Sequence, residues 1–214
     1  MINSKKASKY ALKTVATCAC VCAFFSFKAA AQTTFGVKGG LNLAFETSSY
    51  DGESATTKPT PTYHLGGYVN NRLGRHFSLQ PGLFLQGKGA RTEVFGDKDI
   101  VDDFLYLEVP VNAVWDIQIR NGGRFFWGAG PFVGYNLHAK VKQYGVSKDL
   151  KKDPATSGYI KDVEVGLNFL FGYQLPHGFL LNAGSSFGLS NMAVINGAKF
   201  KNTTLSLGIG WAFN

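Results

Sequence analysis

The segment Leu105–Ile119, LYLEVPVNAVWDIQI, decides the fold, because apolar residues occupy every second position along its whole length. All of its odd-numbered residues are apolar, whereas the even positions include Glu108, Asn112 and Asp116. Such alternation is typical of a β-strand with one apolar face, since successive side chains of a strand point to opposite sides. The question it raises is whether that face packs inside the protein or contacts lipid.

The first 31 residues differ in composition from the rest of the chain. They begin with a basic stretch, continue with the uncharged run 14–27 and end in three alanines before Gln32. This order is typical of a secretory signal peptide cleaved between Ala31 and Gln32. The uncharged run is shorter than the roughly 20 residues of a transmembrane helix, although a membrane anchor or buried helix is the alternative. We predict a signal peptide over 1–31 and one domain over 32–214.

All three cysteines, Cys18, Cys20 and Cys22, lie in the predicted signal peptide. The mature domain would therefore have no disulfide, no catalytic thiol and no cysteine-bound metal. Lipid attachment to one of these cysteines is an alternative. Loss of the signal peptide also removes five lysines and lowers the formal net charge from +8 to +3, which does not indicate a nucleic-acid partner.

Eight alternating runs follow, each with its apolar residues at odd numbers. The predicted strands are 35–45, 63–73, 77–88, 105–119, 125–137, 163–173, 179–189 and 203–213. Long and short connections alternate between them, as in an up-and-down meander whose short turns share one end. Eight such strands close into a barrel without a free edge. The sequence therefore predicts an all-β, eight-stranded antiparallel up-and-down barrel.

Three features predict that the apolar face of this barrel contacts lipid. The even positions of the strands carry thirteen glycines instead of a hydrated coat. The strand lengths fit a bilayer crossing of roughly 9–11 residues with some overhang. Aromatic residues gather near both strand ends, as in the girdles of outer-membrane barrels. We expect a transmembrane barrel in a bacterial outer membrane, with both termini in the periplasm.

Several segments together resemble one protein family. They are FGVKGGLNLA (35–44), SLQPGLFLQGKG (78–89), YLEVPV (106–111), GAGPFVGY (128–135), VEVGLNFLFGYQL (163–175) and FGLSNM (187–192). In this order they are similar to the PorT-like outer-membrane β-barrel family, over nearly all of the mature chain. The resemblance implies an eight-stranded outer-membrane barrel and a link to protein-secretion machinery. The chain departs from the usual C-terminal aromatic residue, because Asn214 follows Phe213.

The charged residues at even strand positions are expected to point into the lumen. They are Lys38, Arg72, Lys88, Glu108, Asp116 and Glu164. Lys88 and Glu108 lie near the loop ends of adjacent strands, so we predict an ion pair between them. Lys38, Arg72 and Asp116 form a second predicted group near the short turns. Because an unpaired charge in a narrow lumen is costly, the network is expected to fill the barrel and fix its register.

Prolines present a difficulty for this fold, because each removes a donor from the strand ladder. Pro81, Pro110 and Pro131 all lie inside predicted strands. We expect β-bulges to accommodate them, at positions that the sequence does not specify.

We assign no catalytic, cofactor-binding or metal-binding residues. The segment GAGPFVG, 128–134, contains the glycines of a nucleotide-binding loop, but apolar alternation runs through it and indicates a strand. The four histidines His64, His76, His138 and His177 lack metal-ligand spacing.

A lipid-modifying enzyme would need a nucleophile and a base near the outer rim. Ser185 and Ser190 are candidate nucleophiles, and His64 or His138 is a candidate base. No nucleophile-elbow motif marks either serine.

The function predicted from these observations is that of a non-enzymatic integral outer-membrane protein with a structural or partner-binding role. An open pore is not expected, because side chains fill an eight-stranded barrel. The expected partners are outer-membrane lipid and, through the long polar loops 46–62 and 143–158, another envelope protein. These loops are expected to be mobile. The alternatives are a lipid-modifying outer-membrane enzyme and a secreted lipocalin-like carrier with an apolar cavity.

Overall fold

The computed structural model describes residues 33–50, 53–94, 98–120, 122–143, 146–150, 161–193 and 198–213. All of them belong to the unit Gln32–Asn214. The predicted signal peptide 1–31 and its cleavage site between Ala31 and Gln32 lie outside the described residues and stay predictions. Within these ranges, no helix has the length and apolar character needed to cross a membrane.

The described residues form ten β-strands. They are β1 (Thr33–Tyr50), β2 (Glu53–Thr56), β3 (Thr60–Arg72), β4 (Phe77–Val94), β5 (Lys98–Gln118), β6 (Arg124–Gln143), β7 (Val146–Asp149), β8 (Val163–Gln174), β9 (Phe179–Gly188) and β10 (Ala198–Phe213).

Eight of these strands form a closed antiparallel ring in the order β1-β3-β4-β5-β6-β8-β9-β10. The ring closes because β10 pairs with β1, from Phe35 opposite Phe213 to Tyr50 opposite Ala198. The short strands β2 and β7 pair with the loop-side ends of β1 and β6. Every ring strand therefore has two neighbours, which removes the exposed edges of an open sheet. The predicted eight-stranded up-and-down barrel is confirmed.

The large exposed apolar side chains point away from the barrel axis, whereas the charged side chains point into the lumen, together with aromatic rings such as that of Phe132. Among the described ring strands, the large exposed apolar side chains are all odd-numbered; Leu41 and Leu207 are 71% and 70% exposed. The buried charged side chains, including Lys88 and Glu164, are even-numbered. This arrangement is that of a transmembrane barrel. The lipocalin-like alternative is wrong, since it requires an apolar interior.

Aromatic side chains lie on the outer surface near both ends of the barrel. Phe35, Phe125 and Trp211 are exposed near the short turns, and Tyr63 and Tyr135 are exposed near the loop end. Aromatic rings at these two levels suit the two membrane–water interfaces, where an apolar body and a polar edge are both accommodated.

The strands extend further at the loop end than the alternation predicted. β5 has 21 residues and β6 has 20, about twice the 9–11 that a tilted crossing needs. We call the strand segments beyond the apolar band the collar. It consists of 46–50, β2, 90–94, 98–104, 139–143, β7 and 198–202. The interpretation of 46–62 and 143–158 as mobile loops is therefore wrong where β2 and β7 form: backbone pairing continues there without apolar alternation.

No bulge lies at the three prolines in the described strands. Register between β5 and β6 is the same on both sides of Pro110, and Pro131 pairs directly with Leu167 of β8. Pairings beside Pro81 and Pro110 are missing, but no residue is inserted. The sheet thus tolerates the lost donors by interrupting the pairing locally, over two residue pairs at a time. The register shift that does occur lies at Leu105/Tyr106, at the base of the collar.

Two short turns contain glycines with positive φ. Gly122 has φ 83° between β5 and β6, and Gly178 has φ 98° between β8 and β9. In each turn, a carbonyl three residues earlier accepts a hydrogen bond from the glycine amide: Ile119 for Gly122 and Leu175 for Gly178. Glycine adopts this backbone region without the steric penalty of a Cβ, so both tight reversals are encoded locally.

Candidate functional site

The charged residues of the lumen form two groups, one nearer the loops and one nearer the short turns. In the loop-side group, Lys88 Nζ lies 2.5 Å from Glu108 Oε1 and 2.8 Å from Glu164 Oε2. Asn202 donates a hydrogen bond of 3.2 Å to the other oxygen of Glu164. The lysine also lies over the ring of Phe132, 4.6 Å from its centroid. We call Lys88, Glu108, Glu164, Asn202 and Phe132 the Lys88 cluster.

The Lys88 cluster is almost fully enclosed, since Lys88, Glu108 and Glu164 are at most 7% exposed. The structure thus places Lys88 beside Glu108, the partner expected from strand adjacency, and adds Glu164 from across the lumen. The two carboxylates and one ammonium of this cluster leave an excess negative charge, and burial keeps water from compensating it. Removing the lysine would therefore leave two buried like charges.

The short-turn group has Asp116 at its centre. Asp116 Oδ2 accepts hydrogen bonds from Arg72 at 2.8 Å and from Arg124 at 3.2 Å. Arg124 also donates two hydrogen bonds to Gln174 Oε1, of 2.9 and 2.7 Å. Lys38 belongs to the same end of the lumen, but its ammonium donates to Gln80 Oε1 at 3.0 Å rather than to Asp116.

Sequence reasoning missed Arg124, because it assigned residues 120–124 to a short turn. The structure makes Arg124 the first residue of β6, with its side chain in the lumen. Arg124 has an even number, like the lumen-facing residues of β6, and this parity could have identified it as a lumen residue. Gln80 and Gln174 were also missed, since uncharged amides do not stand out in an alternating pattern.

Lumen aromatics pack against lumen glycines. A Cβ atom built on Gly36 would overlap the Tyr68 ring, and one on Gly166 would lie 2.5 Å from the ring of Phe132. The glycines thus make room for rings that fill the barrel. Together with the Lys88 cluster, these rings occupy much of the lumen, as expected for eight strands.

The apolar cluster above these rings lies at the base of the collar. It consists of Phe104, Tyr106, Ala139 and Met192, each no more than 1% exposed. Leu150 and Phe200 pack against its side, and the Phe104 and Phe200 rings meet edge to face at 6.5 Å. The collar is therefore joined to the barrel by packing as well as by backbone pairing.

The histidines and serines weighed for lipid chemistry are not brought together. His64 Nδ1 lies 2.8 Å from Asn42 Oδ1 inside the lumen, and His138 lies on β6 opposite Leu105. Ser185 is an odd-numbered residue of β9, and Ser190 Oγ contacts the backbone of Val165. No serine–histidine hydrogen bond occurs among the described contacts.

Neither a nucleotide-binding loop nor a metal site is found in the described part of the chain. The glycines of 128–134 lie within strand β6, not in a loop before a helix. His76 Nδ1 lies 3.0 Å from the backbone oxygen of Asp116, and its ring stacks near Trp115, at 6.2 Å. His177 lies in the turn before β9. Within the described ranges, no group of three or more His, Cys, Asp or Glu side chains is placed to hold a metal ion.

A closed antiparallel barrel with an apolar exterior, aromatic rims and a charge-filled lumen defines a small integral β-barrel membrane protein. The family profile described as "Outer membrane protein beta-barrel domain" matches residues 30–194. The chain belongs to this family, whose members reside in the bacterial outer membrane.

Comparison with solved structures finds several similar barrels. Neisserial surface protein A is 16% identical, with a TM-score of 0.43, and the match covers 84% of this chain and 97% of that one. Ail of Yersinia pestis is 17% identical, with a TM-score of 0.42 and coverage of 86% and 99%. The N-terminal barrel domain of Pseudomonas aeruginosa OprF is 11% identical, with a TM-score of 0.38 and coverage of 85% and 100%. No curated protein matches the sequence significantly.

Proposed function

We propose that this chain is a non-enzymatic outer-membrane protein that uses its barrel as an anchor and presents the collar to a partner in the cell envelope. The observation that carries the proposal is the continuation of paired strands well beyond the apolar band. A barrel that only had to span the bilayer would not need strands of 18 to 21 residues on four of its eight positions.

The collar has the properties of a preformed binding surface. Lys58, in the segment after β2, exchanges backbone hydrogen bonds of 3.1 and 3.4 Å with Arg91 of β4. The apolar cluster around Phe104 and Met192 supports the same region from inside. A surface held by a rigid scaffold loses little conformational entropy on binding, which favours recognition. The side chains of β2, and those of Arg91 and Thr92, are exposed.

The resemblance to PorT-like proteins supports a partner in protein secretion or a related envelope assembly. In this proposal the collar faces the cell exterior, both chain termini face the periplasm, and outer-membrane lipid surrounds the apolar band. The pairing of Phe35 with Phe213 brings the described chain ends together at the short-turn end. An activity as a lipid-modifying enzyme is not supported, because the candidate serines and histidines lie apart from each other.

An open pore is not part of the proposal. The Lys88 cluster and the lumen rings obstruct the loop-side half, and a cavity at mid-lumen, lined by Lys38, His64 and Asn168 among others, has a volume of only about 90 Å³. Reconstitution in planar bilayers tests this point. We expect no sustained conductance steps, and discrete steps that persist in purified protein would contradict the closed lumen.

Single-cysteine labelling tests the orientation, because residues 32–214 contain no cysteine. Thr92→Cys lies in the collar, and Arg120→Cys lies in a short turn; both positions are exposed. A membrane-impermeant maleimide should label the first variant in intact cells and the second only after the outer membrane is permeabilised. The reverse labelling pattern would place the collar in the periplasm.

A photocrosslinking amino acid at the same two positions tests the partner. We expect Thr92 to give one reproducible adduct with an envelope protein, and Arg120 to give no such adduct. Replacing 91–101 by a two-residue turn should abolish the adduct from a probe at exposed Lys148, while the barrel still folds. Equal adducts from both ends, or none from the collar, would refute the proposed binding surface.

A further inference from the structure

Lys38 is a buried cation with few partners. It lies at an even position of β1, is 7% exposed, and donates one hydrogen bond of 3.0 Å to Gln80 Oε1. Its ammonium lies 4.4 Å from the Tyr68 ring centroid and 5.8 Å from that of Phe126. No carboxylate of the described residues forms an ion pair with it. An ammonium carries three N–H donors, so two of them are available to another acceptor.

The short-turn half of the lumen has an excess of positive charge. Lys38, Arg72 and Arg124 lie there, and Asp116 is the one carboxylate that bonds to any of them among the described residues. Asp116 Oδ2 already accepts from both arginines. Charges enclosed in a protein are normally compensated by a counter-charge, since burial removes most of their hydration. Two positive charges here lack a described counter-charge.

A cavity of about 90 Å³ with a mixed polar and apolar lining adjoins Lys38. Its lining includes five buried oxygen atoms without a described hydrogen-bond partner: Asn112 Oδ1, Asn168 Oδ1, Asn182 Oδ1, Ser186 Oγ and Glu108 Oε1, the last of which contacts Lys88 as an ion pair. The unpaired amide oxygens accept hydrogen bonds, so water satisfies them, whereas the NH2 groups of the same amides and the hydroxyl of Ser186 can donate to an anion. At about 30 Å³ for each water-sized occupant, the cavity has room for one small ion and one or two waters.

Two further cavities lie between this site and the short-turn end. A cavity of about 190 Å³ near the turns is lined by Arg72, Arg124 and Gln174. A narrow space of about 10 Å³, lined by Lys38 and Arg124, lies between the two. Glu108 borders the mid-lumen cavity and shares Lys88 with Glu164, so this negative charge lies toward the loop side, away from Arg72 and Arg124. The route from the turns to Lys38 is therefore lined mainly by cations and amides, which favours an anion over a metal cation.

We propose that the lumen binds one monovalent, halide-sized anion beside Lys38, admitted from the short-turn end. Lys38 supplies the charge, and the amides and the hydroxyl of Ser186 supply further donors. The anion compensates the excess positive charge of this half of the barrel. Chloride has the size and charge required, and bromide is its heavier substitute for detection.

Crystals of the wild-type protein grown in sodium bromide give a direct test. We expect an anomalous peak at hydrogen-bonding distance from Lys38 Nζ, inside the mid-lumen cavity. Bromide found only beside Arg72 and Arg124 in the outer cavity, or no lumen peak at all, would overturn the proposal.

Urea unfolding in detergent gives a second test in solution. At pH 7 and equal ionic strength, chloride is compared with gluconate, which is too large for the cavity. At ten times its Kd, chloride should lower the unfolding equilibrium constant of wild-type protein about tenfold. Lys38→Met should lose this difference between the two anions, and Arg120→Gln, which removes an exposed charge at the same end, should keep it.

The comparison uses the difference between anions, so a change in overall stability of Lys38→Met does not affect it. An equal chloride effect in wild type and Lys38→Met would overturn the proposal, as would its loss in Arg120→Gln. If Lys38→Met fails to fold, the bromide crystals of the wild type still decide the question.

Discussion

Lys88 Nζ lies 2.8 Å from Glu164 Oε2, across the lumen, although 76 residues separate the two in sequence. The same ammonium also contacts Glu108 on the adjacent strand. One lysine thus joins three strands of the barrel, β4, β5 and β8, through charges that water does not reach.

Lys88→Met should destabilise the barrel by about 3–5 kcal/mol, because two buried carboxylates lose their only described cation. Glu108→Gln should cost about 1 kcal/mol or less, since it leaves a neutral Lys88–Glu164 pair with an amide beside it. The measurement is the free energy of unfolding in urea, followed by tryptophan fluorescence in detergent or lipid vesicles. Lys201→Met, at an exposed position of β10, is the control and should stay within about 0.5 kcal/mol of wild type. A smaller loss for Lys88→Met than for Glu108→Gln would contradict the assigned charge balance.

The two contacts of Lys88 differ in how far the sequence could predict them. Strand parity and adjacency place Lys88 and Glu108 side by side, because each lies near the loop end of its strand. Glu164 has the same parity, but its approach depends on the diameter and shear of the closed barrel, which alternation does not specify. Strand adjacency therefore predicts pairs between neighbours, whereas contacts across the lumen require the three-dimensional structure.

Gly66 and Gly67 are adjacent in β3 but face opposite sides of the barrel wall. A Cβ on Gly66 would overlap Leu83 O and the Phe84 ring, whereas one on Gly67 has Gly36 O at 3.5 Å as its nearest neighbour. Gly66→Ala should therefore destabilise the barrel by about 1–3 kcal/mol through overpacking. Gly67→Ala should be neutral or stabilise it by about 0.4–1 kcal/mol, because alanine restricts the unfolded chain. Urea unfolding of the two variants measures the difference, and equal effects would show that the lumen at Gly66 has free space.

In the collar, the alternation of apolar and polar residues no longer predicts where the strands lie. Within the apolar band one face must contact lipid, so the pattern predicts each strand and its facing side. Beyond the band the outer face meets water and polar groups, while Phe104 and Phe200 join an inner apolar cluster, so backbone pairing continues without the outward apolar pattern. The alternation therefore assigns β2 and β7 to loops, and it predicts that β4 ends at 88 and that β5 begins at 105, whereas in the structure β4 ends at Val94 and β5 begins at Lys98.

Leu167 and Val163 test the lipid-facing surface on a single strand. Both are odd-numbered residues of β8; Leu167 lies near mid-strand, and Val163 is the first residue, at the loop end. Leu167→Arg should cost about 2–4 kcal/mol at the bilayer midplane, and Val163→Arg about 0–1 kcal/mol near the interface. Unfolding from lipid vesicles measures both values. Equal costs at the two depths would show that β8 does not cross a hydrocarbon layer.

Asp102 connects collar stability with pH. It lies in the collar segment of β5, opposite Ala90 of β4 and Val141 of β6, and burial raises its pKa from 3.8 to about 6. A carboxyl group with a raised pKa holds its proton more tightly in the folded than in the unfolded state. Its contribution to stability is therefore fully present below about pH 3.8 and is lost as the pH rises through 6.

Asp102→Asn removes this titration and should make the stability profile flatter between pH 4 and pH 7. At pH 7 the variant should be more stable than wild type by up to about 3 kcal/mol, the free energy equivalent of the shift, whereas near pH 4 the two should be similar. Urea unfolding at intervals across this range is the measurement. Asp103→Asn removes the same charge from the exposed side of the strand and separates a general charge effect from the burial of Asp102. Parallel profiles for wild type and Asp102→Asn would mean that the carboxyl group is hydrated in the folded collar.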